Sequence, residues 1–477
     1  MPEAAILTQW SLPQATPGLT QRVEESTICA KLLTTVGARK EVLLLSMDKP
    51  LVIGRNPAAC SYVIQEAIVS GVHCKIYAIQ SSQGGVMVSC QDLSSNGFLL
   101  NGLKIRKTCI LIMDGDTIQI GSRKFQCVHT VRREEERVHF LDPTPRMDSP
   151  KKTKTVGSYI LTDHCLGSGS FATVHLGLDS TQKVYKQVAC KIIKKKKDSK
   201  TDKMMKEVRI LTGLNHPGIN RVFDVHNDET FLYIFLQLCT GGDLFSYIVH
   251  HKDPESRLNE GEAKYIMYQL ILGLKYLHEK HISHRDVKPE NILLYAPGPY
   301  PRIQIADFGL ARRKSYQETF NVCGTVSYLP PEGIIALENK NMAYIGMPAD
   351  CWSAGLMLYI MLSGHHPFDY GDNAEDTDCS ESDVVDLRSW EEKFSLSYVR
   401  NDRRVRRRII DDEIEFAPEI WECLPDANTL CLGLLAFYAD ERWTIQDAFH
   451  SQWIQCDLEE LSTVYLQRVG TGATNQS

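Results

Sequence analysis

The chain has 477 residues, with 53 Lys+Arg against 59 Asp+Glu and a net charge of -6. That length suggests about three domain-sized units, and the balance argues against a general nucleic-acid binder, which would carry a basic excess. Hydrophobic residues at 43% and charged residues at 23% are typical of folded globular chains and exclude disorder of the whole.

Residues 1–26 are polar, carry Thr8-Gln9 and Thr20-Gln21, and read as a flexible tail. Residues 27–131 read as all-β. Runs such as Val86-Met87-Val88-Ser89-Cys90 and Thr117-Ile118-Gln119-Ile120 alternate, which puts one face inward. Asn101-Gly102 and Asp114-Gly115 punctuate them as turns, so a small β-sandwich is expected. Residues 132–156, with a mixed charge run, Pro143, Pro145, Pro150 and Lys151-Lys152-Thr153-Lys154, have linker composition.

From 157 to 457 the pattern is mixed α and β, with strand-like segments first. Ala263, Ile266, Leu270, Leu274 and Leu277 then recur at helical spacing. Within this region, about 370–408 reads as a solvated insert: seven acidic residues lie in 372–386 and six arginines in 400–408, two blocks that attract each other. Residues 458–477 read as a polar C-terminal tail that frays at its end. The 15 cysteines include no Cys-x-x-Cys pair, no apolar run reaches the ~18 residues of a membrane span, and the N-terminus lacks a basic leader region. These features point to a reducing intracellular setting with no membrane partner.

Phosphoryl transfer needs a proton acceptor, oxygen ligands for Mg²⁺ and cations around the phosphate. His284-Arg285-Asp286-Val287-Lys288-Pro289-Glu290-Asn291 followed by Asp307-Phe308-Gly309 supplies all three. Asp286 is the candidate base, Lys288 the γ-phosphate cation, and Asn291 and Asp307 the Mg²⁺ ligands. Upstream, Gly167-Ser168-Gly169-Ser170-Phe171-Ala172-Thr173-Val174 can close over phosphates without a Cβ in the way. Val188-Ala189-Cys190-Lys191 supplies a lysine for the phosphates, with Glu207 on the next helix as its partner. Gly167, Gly169, Val174, Ala189 and Lys191 are the candidate ATP contacts.

In this order the motifs make residues 157–457 resemble a eukaryotic protein kinase, a two-lobed α+β domain using ATP and Mg²⁺. Pro330-Pro331-Glu332 stands where the family has Ala-Pro-Glu, and the resemblance pairs Glu332 with Arg442 in a buried structural contact. Lys288 after Asp286, with Thr325 downstream, implies serine/threonine specificity. Gly241-Gly242-Asp243-Leu244-Phe245 and Ser363-Gly364-x-x-Pro367-Phe368 resemble the calcium/calmodulin-dependent kinase group. There two acidic side chains, matched by Asp243 and Glu290, read a basic residue three positions before the acceptor. Asp243 also has a local alternative, capping the helix that follows. Arg285 is a ready partner for an activation-loop phosphate. Thr319 and Thr325 are candidate acceptors, Asn321 replaces the threonine common in relatives, and Thr325 has a second reading as a hydrogen-bond partner of Asp286.

Gly54-Arg55, Ser70-x-x-His73, Ser94-Ser95-Asn96-Gly97 and Asn101-Gly102 recur at the spacing of a forkhead-associated (FHA) domain. Arg55 can fork onto a phosphothreonine, Ser70 and Ser95 can donate to it, Asn96 can bind the peptide backbone, and His73 braces the loops. An all-β FHA sandwich before such a kinase resembles the fungal checkpoint effector kinases. The resemblance implies a nuclear protein that binds phosphothreonine-containing proteins, with no direct nucleic-acid contact. Its meiotic and its mitotic DNA-damage branches both remain open; Gly241-Gly242-Asp243-Leu244-Phe245-Ser246-Tyr247 and Leu294-Tyr295-Ala296-Pro297-Gly298-Pro299 look more like the meiotic, more compact branch, which is favoured. A phosphopeptide-binding scaffold with a weak kinase domain is the rival, opposed by the presence of Lys191, Asp286 and Asp307. The phosphothreonine comes either from the chain's own Thr-Gln tail, bound in trans to give an activation dimer, or from a separate adaptor.

Overall fold

The computed structural model describes residues 28–82, 85–130, 154–168, 172–181, 186–195, 208–250, 257–313, 316–319, 322–339, 342–368 and 404–473. The Thr-Gln tail, residues 132–153 of the linker, Gly169, Glu207, Asn321 and the acidic block 372–386 lie outside them. The chain forms two compact units: Met1–Thr201 with Val222–Gly242 and Leu294–Pro301, and Asp202–Arg221 with Asp243–Leu293 and Arg302–Ser477.

The first unit opens with eleven strands: β1 (Ile28–Val36), β2 (Arg39–Ser46), β3 (Leu51–Gly54), β4 (Tyr62–Val63), β5 (Cys74–Ser81), β6 (Gly85–Asp92), β7 (Phe98–Leu100), β8 (Leu103–Ile105), β9 (Cys109–Ile112), β10 (Thr117–Ile120) and β11 (Arg123–His129). They form two sheets, ordered β2-β1-β11-β10-β7-β8 and β4-β3-β5-β6-β9. Their inner faces meet in a core that includes Leu32, Ile53, Ile76, Cys90, Ile110 and Phe125. Asn101 and Gly102 both take positive φ, 50° and 84°, between β7 and β8. That is the geometry a two-residue hairpin loop requires, so the Asn-Gly signal is a real turn. The expected one-sided burial fails on β6. Val88 and Cys90 face the core, but Met87 and Ser89 are buried as well. The outer face of this sheet is covered, by elements that come later in the same unit.

Those elements are a third sheet: β12 (Lys154–Val156), β13 (Tyr159–Ser168), β14 (Ala172–Asp179), β15 (Lys186–Lys194), β16 (Val222–Asn227) and β17 (Phe231–Gln237), ordered β12-β13-β14-β15-β17-β16. The linker ends earlier than its composition suggests, because Lys154–Val156 pair with β13 and Val156 is buried. Val188, Cys190 and Ile192 join Tyr159, Leu161, Tyr233 and Phe235 in a core on one face, with Tyr159 stacked on Phe235 at 3.8 Å between ring centroids. Gln187, Ala189 and Lys191 therefore share the opposite face, as alternation along a strand dictates.

The second unit is mostly helical, with α1 (Leu244–Val249), α2 (Glu260–Glu279), α3 (Pro331–Glu338), α4 (Gly346–Ser363) and α5 (Leu458–Ala473) among its elements. The Asn259 side chain caps α2 by accepting from Glu262 N–H at 2.9 Å. The expected stripe from Ala263 to Leu277 is buried, and so are Tyr265, Met267 and Ile271. Burial on so many sides marks α2 as a central helix. Arg442, with its side chain wholly buried, donates to both oxygens of Glu332 at 2.8 and 3.0 Å and to the carbonyls of Ala436, Phe437 and Pro348.

Two expectations about segment ends are corrected here. Most of the presumed C-terminal tail is α5, which buries Leu461 and sets Tyr465 edge-on to Tyr268 of α2. The arginine end of the insert is also structured. Residues 404–410 are helical, Val405 and Ile409 are buried, and Arg407 pairs with Asp411. Apolar side chains between the arginines anchor this segment.

Candidate functional site

In the second unit the loop carrying Asp286 is held from beneath by one buried carboxylate. Asp350 of α4 accepts from the backbone N–H groups of His284 and Arg285, each at 2.8 Å, and lies 3.0 Å from His278 Nε2. Arg285 has φ +68°, a left-handed conformation unusual for a side chain of its bulk. The Asp350 bonds hold it there. His284 Nε2 lies 2.9 Å from the Ala306 carbonyl, and Nδ1 accepts from Asp286 N–H at 3.3 Å, which ties the loop to the segment leading into Asp307.

The Asp286 carboxylate is surrounded by donors. Oδ1 accepts from Thr325 N–H at 3.0 Å and from Thr325 Oγ1 at 2.9 Å. Oδ2 accepts from Asn291 Nδ2 at 3.0 Å and lies 3.3 Å from Lys288 Nζ, which also donates to Thr325 Oγ1 at 2.7 Å. Asp307 has φ +58° and caps the turn Phe308–Leu310. Four of the predicted residues, Asp286, Lys288, Asn291 and Thr325, thus form one connected group. Of the two readings of Thr325, the structure displays the one in which its hydroxyl serves Asp286.

Asp243 caps α1 by accepting from Ser246 N–H at 2.8 Å and is buried. Glu290 sits in the turn Pro289–Asn291. Burial pushes its carboxyl pKa up, with Asp243 and Asp286 adding and Lys288 opposing, and its Oε2 has no hydrogen-bond partner. The two carboxyl groups are within electrostatic reach of each other, and one of them keeps an unanswered oxygen.

In the activation segment, Arg285 and Thr319 are both engaged with Tyr344. Arg285 Nε donates to Tyr344 Oη at 3.0 Å, and the guanidinium lies 5.5 Å from that ring's centroid. Burial, with Cys323 beside it, pushes the Tyr344 hydroxyl up to about 12. Thr319 is buried, and its backbone exchanges two bonds with Tyr344, at 3.0 and 3.1 Å. Phosphorylation of Thr319 or Thr325 would require this segment to leave the arrangement seen here. Tyr344 had no signal in the sequence, since its contacts reach across tens of residues.

In the first unit, Lys191 lies on β15 opposite Val174 of β14, with Ala189 opposite Leu176, and Gly167 also pairs with Val174. The glycine-rich hairpin and the lysine strand are therefore neighbours in one sheet.

The loops of the sandwich gather Arg55, Ser70, Ser95 and Asn96. Arg55 N–H donates to Ser70 O at 2.9 Å, Ser95 N–H to Ser70 Oγ at 3.1 Å, and Asn96 Nδ2 to Ile68 O at 3.0 Å. His73 is the brace expected of it: Nδ1 accepts from Ser70 N–H, and Nε2 lies 3.2 Å from Gly97 O. Burial lowers the His73 pKa, in keeping with a neutral ring. A Cβ on Gly54 would meet Gly71 O at 2.4 Å, so only glycine lets these loops approach. Ser94, the first residue of the Ser94-Ser95-Asn96-Gly97 motif, has a structural part. It donates to Asp92 Oδ1 at 2.7 Å and accepts from Gly97 N–H at 2.6 Å, shaping the loop that presents Ser95 and Asn96.

The protein kinase domain family matches residues 161–454, and the FHA domain family matches residues 51–121. Among similar proteins is one of Dictyostelium discoideum named as the probable serine/threonine-protein kinase fhkC, 31% identical over 428 residues, covering 87% of this chain and 63% of its own length. The meiosis-specific serine/threonine-protein kinase of Schizosaccharomyces pombe is 27% identical, over 94% of this chain and 91% of its own length. Its namesake in Saccharomyces cerevisiae is 32% identical, over 68% of this chain and 69% of its own. With a kinase-family match over more than half of its residues and an FHA domain ahead of it, the chain belongs to the protein kinase family, among the serine/threonine kinases that carry an FHA domain.

Proposed function

We propose that the chain is a nuclear, ATP- and Mg²⁺-dependent serine/threonine kinase of the meiotic recombination checkpoint, recruited by phosphothreonine. The observation that carries the chemistry is the group around Asp286. Its carboxylate is oriented by Thr325 and Asn291 and lies beside Lys288, as a base for a substrate hydroxyl must be. Asn291 and Asp307 offer hard oxygen donors, the kind Mg²⁺ takes alongside phosphate oxygens and water. Bound Mg²⁺ would supply charge neutralisation at the phosphates. Lys288, held at Asp286, places a cation where the transferred group arrives. Two meiosis-specific kinases among the similar proteins support the meiotic branch over the mitotic one. Comparing the protein's abundance in mitotic and meiotic cells tests that choice, and equal abundance in both would count against it.

Asp243 and Glu290 support a preference for arginine three residues before the acceptor. Charge-assisted bonds of roughly 1.5–3 kcal/mol predict at least a tenfold lower KM than for an alanine peptide. A bound arginine favours the carboxylate form of Glu290, whose pKa is raised in the free protein. The preference should therefore be weak at low pH and grow as pH rises past the ordinary glutamate range. The ratio of the two KM values measured across pH checks this, and Glu290→Gln should flatten it.

Arg55 is exposed at the loop cluster, where it can reach a phosphate. Arg55→Ala should weaken binding of a phosphothreonine peptide by roughly tenfold or more, by loss of a charge-assisted pair. Its activation in cells should be lost as well, whether the tail or an adaptor supplies the phosphothreonine. Calorimetry beside a kinase assay reads both. Replacing Thr8 and Thr20 by alanine then separates the ligands: activation in cells is lost if the tail is bound in trans within a dimer, and is kept if an adaptor supplies the phosphothreonine.

A further inference from the structure

The outer face of the sheet β4-β3-β5-β6-β9 is apolar where a free sandwich would be polar. Met87 and Leu111 are buried there against Leu176 of β14, with Ile79, Met113, Leu166 and Leu238 packed around them. Leu166 precedes the first glycine of the glycine-rich turn, and Leu176 pairs with Ala189 of β15. At the edge of this patch the Gln187 side chain clips onto the backbone of β9. Leu111 N–H donates to Gln187 Oε1 at 2.8 Å, and Gln187 Nε2 donates to Leu111 O at 2.8 Å. Both groups are buried, and one side chain answers a donor and an acceptor that would otherwise be costly to leave unpaired. A third contact lies after β17. Gly242, at φ +81°, approaches so closely that a Cβ would meet Ile79 Cγ2 at 2.9 Å.

Gln187 lies on the same strand and face as Ala189 and Lys191, four residues before the lysine. We propose that the FHA sandwich is a working part of the nucleotide-binding sheet, and that Gln187 is a positioning residue that sets β15, and with it Lys191, by clipping that strand to Leu111. The glycine-rich hairpin is braced from the same side through Leu166 and Leu176. Ordering of β13 to β15 by ATP and docking of the sandwich then favour each other, as linkage requires. The inference rests on Lys191 serving ATP. A wild-type chain that failed to bind ATP would sink that reading, whereas the outcomes below separate coupled from uncoupled docking in a chain that does bind.

The test uses the full chain. Gln187→Met keeps the length of the side chain and removes both amide groups. The expected result is a KM for ATP raised roughly fivefold or more. The accompanying change in kcat should be less than about twofold, the pattern of lost nucleotide binding, with phosphothreonine-peptide affinity intact as proof of a folded sandwich. Gln187→Glu keeps the acceptor for Leu111 N–H but sets a carboxylate against its carbonyl, and should restore only part of the loss. A KM for ATP within about twofold of wild type in Gln187→Met would overturn the proposal. A second measurement needs no variant: a non-hydrolysable ATP analogue should slow amide hydrogen exchange across Cys109–Ile112 in the wild-type chain. Exchange there unchanged by the analogue, at saturation, would overturn it as well.

Discussion

Asp286→Ala should lower kcat for peptide phosphorylation by about 10²–10⁴-fold, the usual contribution of a positioned base. The replacement removes more than a proton acceptor. Thr325 N–H and Oγ1, Asn291 Nδ2 and Lys288 all converge on that carboxylate, so the lysine and the activation segment lose their common anchor. Because the site is partly open, water can satisfy the released donors, and the unfolding midpoint should hardly move. Lys191→Arg should be nearly as damaging, since a planar guanidinium cannot occupy the place of a compact ammonium between strand and phosphates. Steady-state kinetics with purified variants, alongside thermal melts, check both. Near-normal turnover in either would contradict the roles given to these side chains.

Arg442→Leu should have the largest effect on stability, a loss of roughly 3–5 kcal/mol in chemical denaturation, the cost of leaving one member of a buried ion pair without its partner. Arg442 spends its donors on both oxygens of Glu332 and on three carbonyls, with the guanidinium 5.0 Å from the Trp352 ring centroid. Leucine can answer none of these. Glu332→Gln should also be costly, because it leaves the wholly buried Arg442 guanidinium without its counter-charge, although the amide oxygen still accepts one bond. A negligible loss in either variant would show that burial of charge is not what the pair is about.

Much of this was legible because the informative signals are local. Asn101-Gly102 declares a hairpin through two positive φ angles. The stripe from Ala263 to Leu277 declares a helix face, and the short run from His284 to Asn291 contains most of the group around Asp286. What stayed hidden depends on partners distant in the chain. Met87 and Ser89 looked solvent-facing because nothing in β6 tells that a later sheet covers them. Arg285 looked free for a phosphate because Tyr344 lies 59 residues away. The α5 helix did carry a signal, with Leu458, Leu461 and Tyr465 at helical spacing, but the polar residues between them outweighed it. The arginine block was misjudged for the same reason: Val405 and Ile409 are few beside the charges, yet they decide where the segment goes.

One carboxylate, Asp350, joins the loop that carries Asp286 to α4, whose residues are nearly all buried. Regions that open on their own are those with few buried contacts. The loop bearing Asp286 has no such freedom, because the bonds that hold Arg285 in its left-handed conformation end on the least accessible helix of the unit. Heat should therefore find no separate melting event for the catalytic machinery: activity and the packed core around α4 would disappear together, and refolding of that core would restore the loop without a further step.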